Sequence, residues 1–208
     1  MPTELSTGTS AIAELREQAA QWRFLHDLFR FPDARQWAWL NEPWVAEAWR
    51  RLASTAAKPH PLDLPRPGEP SEYEQAFIAA FEVGLPDPPC PLIESHWNRT
   101  GPAPEVLHEN LLFFRRFGLE LRSSANEPAD HLRHQLEFLC YLCGLEADLR
   151  GADDADRAAQ IALGREEFLD RHVRCWLPPA AAVLRRMAPD EWPAQWMSLL
   201  AELVAPSA

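Results

Sequence analysis

The sequence has none of the long apolar runs, basic clusters or glycine-rich loops that mark membrane spans, nucleic-acid binders or nucleotide enzymes. No hydrophobic stretch approaches the ~20 residues needed to cross a bilayer. The opening residues, Met1-Pro2-Thr3-Glu4-Leu5-Ser6-Thr7-Gly8, include no base and no apolar core, so they are not a secretory signal. A cytoplasmic protein with disordered residues 1–9 is expected. Lysine and arginine number 20 against 31 acidic residues, a net charge of −11, so a nucleic-acid partner is not expected. Negative charge suits a partner with a short cationic segment, and it also aids solubility. Neither Gly-x-x-x-x-Gly-Lys-Ser/Thr nor Gly-x-Gly-x-x-Gly occurs, nor a serine in a nucleophile-elbow motif.

Cysteine is sparse too. Of Cys90, Cys140, Cys143 and Cys175, only Cys140-x-x-Cys143 forms a close pair. A thioredoxin-like pair sits at a helix N-terminus, where the dipole lowers a thiol pKa. This pair falls about three turns inside a predicted helix, on its apolar side. Zinc would need two further ligands, and neither Cys90 nor Cys175 belongs to a second knuckle. The pair reads as two small hydrophobes. The alternative function is a helical metal-binding or redox enzyme. A di-iron bundle needs two Glu-x-x-His motifs on facing helices. Glu105-Val106-Leu107-His108 is one; at the second place Glu127 stands one position too far from His131, with Pro128 where the ligand should be. No metal site is expected.

What the chain does have is helical periodicity, 20 prolines and nine tryptophans in 208 residues, a length that suits one domain. Ile12, Leu15, Ala19, Trp22, Leu25 and Phe29 predict a helix from about Ser10 to Arg30, ended by Pro32. Helices over Ala34–Leu40 and Pro43–Thr55 follow. Residues 57–70 and 84–103 are proline-rich and predicted irregular. Between them Ser71 and Glu74 suit a capping box for a helix running to Val83, closed by Gly84. Further helices are predicted over Pro104–Phe117, stopped by Gly118, and over Pro128–Leu149, Ala155–Trp176, Ala180–Met187 and Pro189–Val204. No segment alternates with period two. The expected fold is all-α, a single globular multi-helix domain over residues 1–208.

The densest chemistry lies at Asn126-Glu127-Pro128-Ala129-Asp130-His131-Leu132. Proline is tolerated in a first helical turn, so Pro128 is expected to fix a helix start. At about 100° per residue, Glu127, Asp130, His131 and His134 share one side, with Leu132, Leu136, Leu139, Cys140 and Cys143 opposite. Two carboxylates and two imidazoles then gather at one helix end.

This Glu-Pro-x-Asp-His pattern resembles the signature of the TorD/DmsD/NarJ family of redox enzyme maturation chaperones. Two more segments carry the resemblance. Tyr73 to Pro86, followed by Pro88-Pro89-Cys90-Pro91-Leu92-Ile93-Glu94-Ser95-His96-Trp97, resembles the family's aromatic helix, proline-rich loop and Ser-x-aromatic element. His172-Val173-Arg174-Cys175-Trp176-Leu177-Pro178 resembles its His-x-x-x-Trp-x-Pro helix. The wording is most similar to chaperones of the dimethyl sulfide and ethylbenzene dehydrogenase and selenate or chlorate reductase class.

The resemblance implies a TorD-type helical fold and a chaperone without catalysis. The implied partner is the catalytic subunit of a dimethyl sulfoxide reductase-like molybdoenzyme with its twin-arginine signal peptide, held until cofactor insertion. It implies no resident cofactor, with weak guanine-nucleotide or molybdopterin contact as a family theme, and a monomer or a helix-exchanged dimer. Tyr73, Phe77 and Phe81 repeat every fourth residue, which fits a core stripe. The resemblance instead makes part of that stripe, with Leu85, Pro91, Ser95 and Trp97, a wall of a peptide groove. For Glu127, Pro128, Asp130 and His131, a client-binding site and a capping and salt-bridge cluster both stand open.

Overall fold

The computed structural model describes residues 3–98, 101–122 and 126–206, with 3–9 described by backbone alone. Among them the helices are α1 (Thr3–Leu28), α2 (Ala34–Leu40), α3 (Pro43–Thr55), α4 (Pro70–Phe77), α5 (Glu94–Trp97), α6 (Ala103–Arg116), α7 (Leu132–Gly151), α8 (Ala155–Phe168), α9 (Leu177–Met187) and α10 (Trp192–Leu203). Two π-helical turns, Ile78–Glu82 and Leu169–Val173, continue α4 and α8. The described residues form no strand, only an antiparallel bridge between Ile93 and His131. No helix among them is long and apolar enough to cross a membrane. The all-α expectation holds.

The local chemistry explains most boundaries. Asp33 caps α2 by accepting the Gln36 N–H at 2.7 Å. Gly118 stops α6 with φ +80, where a side chain would be strained, and Leu119 N–H returns to the Phe114 carbonyl. Helices α2 and α3 have the predicted limits. Other expectations need correction. The α1 helix starts at Thr3, ahead of the predicted Ser10, so the helix includes residues 3–9, which were expected to be disordered; Met1 and Pro2 lie outside the described residues. Helix α4 is capped at Glu69 with Pro70 in its first turn, and Ser71 donates to Glu69 rather than forming a capping box. The sharpest difference is at α7: the helix starts at Leu132, and Pro128 belongs to the turn before it.

Helix α1 lies along α7, α7 along α8, and α9 against α10. Their apolar faces meet in one continuous core that includes Leu28, Trp49, Leu136, Phe168, Trp176 and Trp196. Tryptophan and proline abundance are linked here. A buried indole needs an acceptor, and a proline-rich connection has carbonyls with no ladder to join. Trp49 donates to the Pro61 carbonyl at 2.9 Å, Trp196 to Pro65 at 2.8 Å and Trp97 to Pro91 at 2.9 Å. The first connection is thereby pinned to α3 and α10, while the second is closed onto α5, the short helix that forms within it.

Candidate functional site

The signature segment enters α7 through a tight turn. His131 N–H donates to the Pro128 carbonyl at 3.0 Å. His131 is then the N-cap of α7, its Nδ1 accepting the Arg133 N–H at 3.2 Å. The turn is stitched to the second proline-rich connection by three main-chain donors. Glu94 N–H reaches the Asp130 carbonyl at 3.0 Å, Ser95 N–H reaches Asp130 Oδ2 at 3.0 Å, and Leu132 N–H reaches the Leu92 carbonyl at 2.8 Å. Asp130 and His131 are both buried. The Asp130 side chain therefore holds two loops together from the inside, while that of His131 caps its own helix.

Beneath this clasp lies a polar knot inside the core. Glu94, Asn110, Gln135 and His172 are buried, and so is Trp176. Glu94 Oε2 accepts from Gln135 Nε2 at 2.7 Å and Asn110 Nδ2 at 2.9 Å, while Oε1 accepts from Asn98 Nδ2 at 2.9 Å. His172 Nδ1 stands 3.2 Å from both Glu94 oxygens; a carboxylate only accepts, so Nδ1 carries the proton. Trp176 Nε1 donates to Gln135 Oε1 at 3.1 Å and to the His172 carbonyl at 2.8 Å. The Ser-x-aromatic element, the signature helix and the His-x-x-x-Trp helix thus meet at one carboxylate. Burial of polar groups is offset by these bonds, with one exception: His172 Nε2 has no partner among the described residues.

A second cluster faces outward. Glu127 is paired with Arg133 at 2.7 Å, and Arg133 Nη2 donates to His26 Nε2 at 3.3 Å. His26 Nδ1–H in turn donates to Asp27 Oδ1 at 3.0 Å. Burial is the largest influence on the Glu127 carboxyl and works to raise it, but the Arg133 charge, joined by His131, a backbone hydrogen bond and His134, holds it below the usual range. Burial pushes the His131 imidazole down to about 4, against the pull of Glu127, so it is neutral at neutral pH. His134 is lowered for the same reason. Beside this cluster opens a cavity of about 610 Å³, with Phe114, Leu121 and Tyr141 among its apolar walls and Glu120, Glu127 and Glu137 at its edge. Arg122, Arg133 and His134 line it as well, so its charges nearly balance.

The residues expected to form a groove wall do not share one open face. Tyr73, Phe77 and Phe81 are buried, with ring centroids 5.0–6.5 Å from Trp192 and one another; Phe77 stacks on Trp192 and the other contacts are edge-on. They make core, not an open wall. Pro91 is buried, Ser95 and Trp97 are half-buried and Leu85 is fully exposed, so these residues do not line one surface. Glu127 and Pro128 are half-buried at the turn. Glu94, Asn110 and Gln135 were missed as a group. Their available signal was a polar side chain on an otherwise buried stripe, as with Asn110 between Val106 and Phe113.

The alternative chemistry finds no support in the geometry. Cys143 is buried and Cys140 half-buried, and burial raises both thiols, Cys143 to about 11. Glu105 and His108 are exposed on α6. Among the described residues no three metal-ligating side chains gather.

The chain is 32% identical to the selenate reductase assembly chaperone protein of Thauera selenatis over 187 residues, 89% of this chain and 85% of that one. It is 30% identical to the chlorate reductase assembly chaperone protein of Ideonella dechloratans over 190 residues, 91% and 86% of the two. A shorter similarity, 33% over 67 residues, links it to chaperone protein TorD of Vibrio cholerae, covering 31% and 28%. No solved structure matches the chain. The family described as nitrate reductase delta subunit matches residues 41–182, which include the aromatic helix, the clasp and the polar knot. The chain belongs to that family, the TorD/NarJ group that its Glu127-Pro128-x-Asp130-His131 turn resembles.

Proposed function

We propose that this chain is an assembly chaperone for the catalytic subunit of a molybdenum-containing reductase or dehydrogenase. It holds the subunit's apo-form, through a twin-arginine signal peptide, until the molybdopterin cofactor is inserted, and it performs no catalysis of its own. The observation that carries this reading is similarity along nine-tenths of the chain to proteins named as assembly chaperones of selenate and chlorate reductases. The net charge of −11 agrees with a client segment led by arginines. In this reading the protein works in the cytoplasm, before export, and the cofactor belongs to the client.

A transient holder needs only modest affinity. Micromolar binding, about −8 kcal/mol, allows release once the client has folded. The clasp between residues 92–95 and 128–132 supplies the rigid frame such recognition needs. Isothermal calorimetry with a twin-arginine signal peptide tests this. Micromolar binding that weakens when the peptide's apolar run is made polar is the expected result. Equal affinity for a scrambled peptide would overturn signal-peptide recognition. Tagged chaperone expressed in its native host is expected to co-purify with one molybdoenzyme subunit, and recovery without such a subunit would overturn the client assignment.

A further inference from the structure

The α4 helix has a second face, and it is built of small residues. Tyr73, Phe77 and Phe81 turn into the core, which leaves Glu72, Gln75, Ala76 and Ala79 on the outer side. Ala76, Ala79 and Ala80 line a cavity of about 230 Å³ closed opposite by Leu184, Met187 and Ala194 from α9 and α10. Its walls are almost wholly apolar. Pockets for drug-sized ligands run about 300–1,000 Å³, so this one suits one or two side chains of a chain laid across it. Met187 is largely exposed at its mouth.

Ala76, Ala79 and Glu191 also line a neighbouring cavity of about 700 Å³, so the two form one cleft. This second part is acidic. Glu72, Asp190 and Glu191 line it, against the single cation Arg66, which is already hydrogen-bonded to Asn41. Glu72 Oε2 accepts the Gly68 N–H at 2.9 Å, and none of the three carboxylates forms an ion pair among the described residues. Arg185 and Arg186, on the last turn of α9, line neither part. The cavity beside the signature turn differs, because there Glu127 is already taken by Arg133. A third observation concerns Trp192, which lines the acidic part. It is more than nine-tenths buried, yet its indole N–H has no acceptor among the described residues. Its nitrogen is itself covered, so what Trp192 offers the cleft is the apolar part of its ring.

We propose that the cleft between α4 and α10 seats a client segment in which basic residues precede an apolar run. The cations face Glu72, Asp190 and Glu191, and an apolar side chain fills the alanine-lined cavity. This rests on the chaperone reading above and gives it a seat on the opposite face of the predicted aromatic helix. Unpaired carboxylates attract a cation without first breaking a salt bridge, which favours this cleft over the signature cavity.

The test uses a fluorescent synthetic peptide with Arg-Arg ahead of a leucine-alanine run, and a twin with Gln-Gln in place of the arginines. Anisotropy is measured on the full-length protein and three variants. Ala79→Phe plugs the apolar part, Glu72→Gln/Asp190→Asn/Glu191→Gln removes the charge while keeping acceptors, and Glu127→Gln alters the signature cavity. The plug is expected to weaken binding at least tenfold. The charge variant is expected to bind both peptides alike, with a flattened salt dependence. Wild-type affinity in both cleft variants, with loss in Glu127→Gln, overturns the cleft and leaves the chaperone reading intact. Absence of binding to the wild-type chain overturns both. Should Ala79→Phe lose its helical circular dichroism, the surface charge variant decides alone.

Discussion

Asp130 holds Ser95 in place: its Oδ2 accepts the Ser95 N–H at 3.0 Å across 35 positions of sequence. The bond joins the Glu-Pro-x-Asp-His turn to the Ser-x-aromatic element, so the two motifs are halves of one device. Asp130→Ala would leave a part-buried main-chain donor without a partner, at a cost of about 1–3 kcal/mol. Asp130→Asn retains an acceptor oxygen and is expected to recover most of that. Urea unfolding of the three proteins checks the order wild type, Asn, Ala. Stability of the alanine variant equal to wild type would mean that the clasp contributes nothing.

Glu94 is the heavier test, because three side-chain donors and His172 depend on it. Glu94→Ala takes one acceptor each from Asn110 and Gln135, whose amide donors keep only their bonds to Val106 and to Asn110 Oδ1, and is expected to cost about 3 kcal/mol. Tryptophan fluorescence should report it directly, since Trp176 donates to Gln135. Glu94→Gln replaces an all-acceptor group by one with two donors of its own, so it repairs the knot only in part. Its stability is expected between wild type and alanine.

Gly164 offers a test of packing. A Cβ there would lie 2.2 Å from Phe117 Cζ, a contact no side chain tolerates. In an open helical site Gly→Ala stabilises by about 1 kcal/mol. Gly144 in α7 is such a site, with nothing within 4 Å of an added Cβ. Gly144→Ala is therefore expected to raise the melting temperature. Gly164→Ala is expected to lower stability by about 1–3 kcal/mol through overpacking. Phe117 also packs on Phe138 at 5.7 Å, which limits how far its ring can retreat. Combining Gly164→Ala with Phe117→Ala should be less costly than the sum of the two.

These three sites show what was legible in the sequence. Helix α6 could be ended at Gly118, and α2 and α3 bounded outright, because caps and prolines act locally. The aromatic repeat of α4 marked a buried stripe for the same reason. What periodicity could not say is that the opposite, alanine-rich face would border a cleft, since that depends on where α10 packs. The two π turns give no local signal either; each adds a residue to a helix that already carries apolar spacing. Long-range pairings were the main loss. Trp196 with Pro65 and Glu94 with His172 lie 131 and 78 positions apart, beyond any pattern within one element. The signature turn was found by resemblance, but its helix was started too early, because Pro128 suits a tight turn as well as a first helical turn.

His131 makes the stability of the fold depend on pH. Its imidazole is held down from 6.5 to about 4, chiefly by burial, with His134, Arg133 and His26 adding repulsion and Glu127 opposing. As pH falls below 6.5 the unfolded chain takes up this proton and the folded chain does not. The stability contributed is therefore complete above pH 6.5 and is lost progressively toward pH 4, to a total of roughly 3 kcal/mol. Glu127 acts later. Its carboxyl is depressed below 4.5, so its contribution is present above 4.5 and disappears only as pH falls through the lower, folded value. The window from pH 6.5 to 4.5 thus contains the histidines and Glu82, whose carboxyl burial and Glu127 raise above 4.5, so His131 is singled out by comparing variants. His131→Asn keeps a side-chain oxygen able to cap α7 and removes the titration. Urea unfolding at several pH values is expected to show a smaller loss across this window for His131→Asn than for wild type, with the residual slope assigned to His134, whose pKa is also lowered, and to Glu82, whose raised carboxyl acts with the opposite sign. Parallel slopes for the two proteins would show that the proton is taken up elsewhere, and that His131 is already accessible to solvent in the folded chain.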